Sequence, residues 1–343
     1  MVATGRLIGP ACLAGRYPVH HPPTRPDLDA SLPPREAAAG ALRRRLKAVG
    51  ALARKCRKDA SPARVHALRT GIRRAEAAID SFRPFLGERA VRRTTRELHV
   101  LRRRAGTVRD LDVTLEILRE LAAASPGEGT VVAAIQDLSA RRDAAADRLA
   151  GERFRRSTKR VRRRRRSLVR GEGDSAELPP LANIAKMSLR STIESARARA
   201  AARGATPQDL HALRIELRRL RHAIELLEPA LPVPAPGAAA LALRAAIDTL
   251  GRLNDSVKMV ATLQGMPAGA LHGTRDDLVN RMVRLRDRRT RDAIATATGV
   301  EGAILAPLGA WLESQERSLA GADTSPPRAL GPLAPDDRRP LHA

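Results

Sequence analysis

Two segments of this chain repeat one arrangement of residues able to hold an anion. His66, Arg69, Arg73 and Arg74 follow the spacing His-x-x-Arg-x-x-x-Arg-Arg, and His211, Arg214, Arg218 and Arg219 follow it again, with Arg221 and His222 just beyond. Arginine forks donate paired hydrogen bonds to phosphate oxygens; imidazole donates one bond when neutral, and two plus a charge when protonated. Guanidinium offers no lone pair to a cation, so this is not a metal-ligand spacing. For one copy alone, a solvated basic face paired with glutamates explains the pattern equally well. Two copies weigh towards a binding row, and the nearby acids Glu76, Asp80, Glu216 and Glu225 do not neutralise either of them.

Each row needs a helix to carry it. Ser61-Pro62 and Thr206-Pro207 read as an N-cap followed by proline in the first turn. Val65, Leu68, Ile72, Ala75, Ile79 and Phe82 then step by three and four, as do Leu210, Leu213, Leu217, Leu220, Ile224 and Leu227. Such a stripe faces a core. The His/Arg row lies one position further round, about 100° away, on the border of that buried face. It starts in the first turns, where the helix dipole favours an anion. Pro84 and Pro229 help to end the two helices.

The repeat extends beyond these helices. Residues 61–84 and 206–229 align at an offset of 145, with ten of 24 positions identical. The same offset pairs Leu98 with Leu243, Gly106 with Gly251, Asp110 with Asp255 and Leu118 with Leu263. Matching His, Gly, Asp and prolines at one offset points to an internal duplication. The pattern between the tails is helical, without strand-like alternation, and predicts an all-α fold of ten to twelve helices. Breaks fall at Pro126-Gly127, at Gly171, Gly173 and Pro179-Pro180, and at Pro232, Pro234, Pro236 and Gly237. The expected organisation is an N-terminal tail over 1–33, one helical domain over 34–320 and a tail over 321–343. Within the domain, the first repeat covers about 34–170 and the second about 181–320.

Composition narrows the ligand. The chain has 63 Lys+Arg against 37 Asp+Glu, a net charge of +26, which attracts nucleic acid, anionic membranes or acidic polymers. Codon bias explains the choice of arginine over lysine but not the missing acids. Aromatic residues are few: Trp311, Tyr17, Phe82, Phe85 and Phe154. Single-stranded nucleic-acid binders stack bases on aromatic rings, so that class loses ground. Two cysteines, Cys12 and Cys56, form no disulfide framework or zinc pattern and fit a reducing cytoplasm. No apolar run reaches the roughly 18 residues of a membrane span, and no secretory leader stands out. Residues 152–170 hold eleven Lys/Arg and one acid, including Arg162 to Arg166 in succession. That segment reads equally as an anion-binding arm or as a solvated helix end. Asp110 and Asp112, with Asp255 in the second copy, neighbour arginines and are read as salt-bridge or capping acids rather than a catalytic pair. His99 and His272 are incidental, and His20-His21 belongs to the tail. No Walker loop, dinucleotide turn, zincin helix or nucleophile elbow occurs, so neither an enzyme nor a cofactor is expected.

At these residues the chain resembles the CHAD family, the conserved histidine α-helical domain. VHALRTGIRRAEAAIDSF resembles its V-H-x-x-R-x-x-x-R-R helix, and AGTVRDLDV (105–113) its L-G-x-x-R-D-x-D-V turn. LHALRIELRRLRHAIELLEP and LGRLNDSVK resemble the C-terminal versions. The resemblance covers about residues 37–320. It implies two tandem antiparallel helical bundles related by a pseudo-twofold axis, with inorganic polyphosphate in a basic groove between them. By that analogy the contacts are His66, Arg69, Arg73, Arg74, His211, Arg214, Arg218, Arg219 and Arg221, with Arg44, Arg45 and Lys47 of the first helix added. It also implies cytoplasmic association with polyphosphate granules. Without an E-x-E-x-K signature of the triphosphatase-type partner domain, the chain reads as a stand-alone binding module. Gly71 in mid-helix, Glu76 in place of a basic residue and His222 in place of tyrosine depart from the family pattern. The alternatives are a non-specific nucleic-acid binder and, less favoured, a metal-dependent phosphohydrolase.

Overall fold

The structure, a computed structural model, describes residues 27–124, 129–168, 178–201, 206–266 and 275–323. Pro126-Gly127, Gly171, Gly173, Cys12, His20-His21, His272 and residues 324–343 lie outside these. Apolar residues recurring every three or four positions, in segments rich in Ala, Leu, Arg and Glu, make helix the favoured local state. The described residues form ten α-helical segments and no strand. These are α1 (Pro34–Lys58), α2 (Pro62–Ser81), α3 (Glu88–Ala124), α4 (Gly129–Ala150), α5 (Glu152–Ser167), α6 (Leu181–Ala200), α7 (Pro207–Leu227), α8 (Gly237–Gln264), α9 (Arg275–Val300) and α10 (Ala306–Asp323). A π-helical turn, Glu301–Leu305, joins α9 to α10 end to end.

The 145-residue offset reaches further than the motifs that revealed it. It carries α1 to α5 in order onto α6 to α9 and the stretch that begins α10. It even carries the 3-10 turn Arg83–Phe85, built on Pro84, onto Glu228–Ala230, built on Pro229. Within the halves, α1 packs on α2 and α3 on α4, as α6 packs on α7 and α8 on α9; between them α2 meets α7 and α3 meets α8. Like against like is the contact pattern of a twofold relation. The fold is therefore two tandem antiparallel helical bundles related by pseudo-twofold symmetry.

All twelve residues of the two apolar stripes are buried, and one aliphatic core runs through both repeats. A smaller core of the same symmetry joins the far ends of α3 and α4 to those of α8 and α9, with Leu115 and Leu118 facing Val260 and Leu263. The two N-caps differ. Thr206 forms a reciprocal capping box with Asp209, whereas the Ser61 side chain makes no capping bond. The proline-rich loop before α8 is pinned from α10, where Trp311 Nε1 donates to the Val233 carbonyl (2.9 Å) and Gln315 accepts from the Val233 N–H (3.0 Å).

Three observations revise the sequence reading. The packed body starts inside the expected tail, because Leu28 is buried and Asp27 binds α1. Gly71 has a reason: a Cβ there would lie 2.8 Å from Leu52 Cδ1, so α1 and α2 approach closely at this point. Within the continuous helix Asp276–Gln315 one 18-residue window reaches a mean hydropathy of 1.3, which by length and composition alone is enough to cross a membrane, where the sequence reading found no such run. Its Ile304, Leu305, Leu308, Trp311 and Leu312 are nevertheless buried in the common core. Cys56 is also buried there, and burial pushes its thiol up to about 11.

Candidate anion-binding site

Where α2 crosses α7, the border rows of the two helices face each other. Arg69 and Arg73 from α2 meet Arg214 and Arg218 from α7, each half-buried. Burial, and then the charges of one another, lowers Arg69, Arg73 and Arg218 from the usual arginine range, Arg218 furthest. A guanidinium keeps its proton throughout neutral pH, so these shifts express first the cost of taking charge out of water and then the repulsion of neighbouring arginines. Asp110, Glu76 and Asp255 offset part of it, attracting Arg69, Arg73 and Arg218 respectively. Two of these acids are already engaged. Asp110 accepts from Lys258 Nζ (2.8 and 2.9 Å), and Glu76 from Arg102 (3.1 Å).

Glycine makes room for this cluster. A Cβ on Gly106 of α3 would lie 2.6 Å from an Arg69 guanidinium nitrogen, and one on Gly251 of α8 would lie 3.3 Å from Arg214 Nη2. The two glycines are partners under the 145-residue offset, so each repeat seats the arginine of its own His-x-x-Arg against a bare stretch of helix. The histidines stand at the N-terminal ends of the rows, His66 half-buried and His211 exposed. His211 is held below its ordinary value by partial burial, Arg214, Lys258 and Arg218, against a hydrogen bond with Asn254.

The remaining residues expected at the site are engaged elsewhere. Arg45 is buried, donating to Asp27 Oδ2 (2.9 Å) and to the Arg74 carbonyl (2.6 Å). Arg44 donates to the Asp27 carbonyl, and Lys47 is exposed. Glu225 gathers Arg74 (3.3 Å), Arg221 (2.9 Å) and His222 Nδ1 (3.2 Å) into a clasp between α2 and α7. Burial lowers His222 to about 4, so the neutral ring donates to Glu225. Burial would raise Glu225, but His222 and Arg221 hold it below the carboxylate range. Arg219 pairs with Glu216 at 3.0 Å. The structure thus brings together Arg69, Arg73, Arg214 and Arg218 with His211 beside them, and assigns Arg45, Arg74, Arg219 and Arg221 to ion pairs.

Sequence reasoning passed over Lys258, which joins the site from α8 and links the repeats through Asp110. Only the second copy carries it; the matching position in the first is Val113. Asp110 and Asp112 form salt bridges, though not with adjacent arginines, and Asp255 accepts from Asn254. Asp112 accepts from Arg142 Nε (2.9 Å), and Arg142 also donates to the Ala60 carbonyl, tying α4 to the entry of α2. Among the described residues no three His, Cys, Asp or Glu side chains converge to hold a metal ion. The segment Arg153–Arg164 lies on α5, apart from the α2–α7 crossing.

Comparisons with known proteins agree with this architecture. The model of the CHAD domain family matches residues 40–264. The crystal structure of the CHAD domain from the plant Ricinus communis superimposes with a TM-score of 0.55 at 21% identity, covering 84% of this chain and 94% of that one. PptA from Streptomyces chartreusis superimposes with a TM-score of 0.56 at 20% identity, covering 78% of this chain and 99% of that one. No curated protein sequence matches this chain. A binding-type helical domain, rather than a recognised catalytic fold, is what these likenesses describe. With its repeated helix motif inside the matched span and its fold shared with two structures of this kind, the chain belongs to the CHAD domain family.

Proposed function

We propose that this protein binds inorganic polyphosphate at the crossing of α2 and α7, and that through it the protein associates with polyphosphate granules in the cytoplasm. The carrying observation is the convergence of Arg69, Arg73, Arg214 and Arg218, among which burial and neighbouring arginines lower Arg69, Arg73 and Arg218 while Asp110, Glu76 and Asp255 pull the other way. A chain of phosphates supplies the missing negative charge to several of these forks at once. It has no bases to stack, which suits a site without aromatic rings. It acts here as a ligand; among the described residues no three His, Cys, Asp or Glu side chains converge to hold a metal ion.

Competition tests the reading. Long-chain polyphosphate is expected to stay bound when duplex DNA is added at equal phosphate concentration in moderate salt; displacement by the duplex would defeat it. The same complex has a pH signature. His211 lies below its ordinary value in the free protein, and a bound anion raises it. Binding then takes up a proton, so affinity rises as pH falls from the raised value of the bound ring towards the lowered value of the free one, by about tenfold for each unit between them. Nuclear magnetic resonance titration of the His211 ring with and without polyphosphate reads this directly. An unmoved or lowered His211 value would place the anion away from it.

A further inference from the structure

The α2–α7 site uses little of the positive charge, and the largest remainder is arranged without symmetry. Helix α5 carries ten Lys/Arg and one acid, whereas the stretch matching it under the offset, residues 297–312, carries no Lys or Arg. The same holds on α3. Arg92, Arg93, Arg96 and Arg103 correspond to Gly237, Ala238, Leu241 and Asp248 on α8. A bias towards arginine codons would act on both repeats alike. The charge therefore belongs to a feature that only the first repeat possesses.

That feature has a definite geometry. α5 runs antiparallel to α3: Arg104 donates to the Arg148 carbonyl at the corner just before Arg153, Arg160 pairs with Glu97, and Arg164 donates to the Arg93 carbonyl. Phe154, Ser157, Thr158 and Val161 anchor the inner face of α5. Outward, Arg96 and Arg103 of α3 and Arg153, Lys159 and Arg163 of α5 are all exposed and without an ion pair among the described residues, and Arg103 and Arg153 come together at Arg104. From Arg153 to Arg163 the strip extends about 15 Å. Crowding of like charge is felt at its end, where partial burial and then Arg153, Arg103 and Arg148 lower Arg104 from the usual range. None of the exposed large hydrophobic residues lies on this strip.

The geometry points to this α3–α5 strip as a second binding face, one that takes the phosphate backbone of duplex nucleic acid without reading its sequence. Cations carried on two packed helices fit a rigid ligand that carries about one charge per 1.7 Å of axis. Contacts to phosphate position a protein on a duplex but carry no base information. The strip offers neither rings for stacking single strands nor an apolar edge for entering lipid. A flexible polyphosphate chain would be ordered here by exposed cations alone, without the half-buried arginine forks of the α2–α7 crossing. The inference does not rest on the polyphosphate reading.

The test uses the full chain, a fluorescent 30-base-pair duplex and fluorescent long-chain polyphosphate. R96A/R153A/K159A/R163A is compared with R69A/R214A, and circular dichroism checks the helicity of both. The strip variant is expected to bind the duplex at least tenfold more weakly. The slope of log affinity against log salt should shrink by about three to four. Its polyphosphate affinity should stay within about threefold of wild type. The R69A/R214A variant should show the reverse pattern. Three results would overturn the inference: unchanged duplex binding by the strip variant, equal loss of both ligands, or duplex loss confined to R69A/R214A. If wild type fails to hold polyphosphate, the proposed function falls, while the duplex assay still reads the strip.

Discussion

Changing His66, Arg69, His211 and Arg214 together to alanine is expected to abolish tight polyphosphate binding, with a loss of about 100-fold or more. Charge-assisted hydrogen bonds contribute roughly 1.5–3 kcal/mol each. Two arginines alone thus account for about 3–6 kcal/mol, and every 1.4 kcal/mol is about tenfold in affinity. The variant should keep its helices, because all four positions border the apolar stripes rather than belong to them. Titration calorimetry with long-chain polyphosphate, beside circular dichroism of the same samples, measures both. An affinity within threefold of wild type would move the site away from the α2–α7 crossing.

Arg218→Met is expected to act in two directions at once. Arg218 is pulled down by burial and by Arg73, Arg214 and Arg69, the strongest such effect in the cluster. Methionine keeps a comparable stem and removes the charge. Replacing buried ion pairs or triads by apolar side chains of similar volume is often neutral or stabilising by about 1–4 kcal/mol, and Arg218 has mainly like charges around it to lose. The free variant should therefore melt a few degrees above wild type. It should also bind polyphosphate at least tenfold more weakly and gain less stability when the ligand is added. Melting curves with and without polyphosphate separate the two effects. A lower melting temperature for the free variant would mean that partners hold this guanidinium more strongly than its neighbours repel it.

The architecture was legible because one offset encodes it. His66 and His211, Gly106 and Gly251, and Pro84 and Pro229 each matched at 145 residues, and the helices and 3-10 turns then obeyed the same number. The stripes were equally legible, since burial on a helix follows directly from spacing. The division of labour among the arginines was not. Arg73 and Arg74 are adjacent, yet one joins the cluster and the other is held by Glu225, 151 residues away. That outcome depends on how two helices cross, which no local pattern states. Asp27 and Leu28 were read as tail because proline and histidine surround them, although one binds Arg45 and the other enters the core. Lys258 stayed hidden because comparing the repeats draws the eye to what they share, and this residue belongs to one of them only.

The bare helical positions under Arg69 and Arg214 also bear on how such a protein can be engineered. Exchanging a mid-helix glycine for alanine is a standard route to higher stability, worth up to about 1 kcal/mol per site. Gly299 and Gly302, with nothing within 4 Å of an added Cβ, are open to that exchange. Gly106 and Gly251 are not equivalent to them. There the added methyl group would enter the space an arginine fork occupies, so a thermostable version chosen by melting temperature alone would drift towards one that no longer recognises its ligand. The two pairs look alike in any table of helix propensities and differ only in what leans against them.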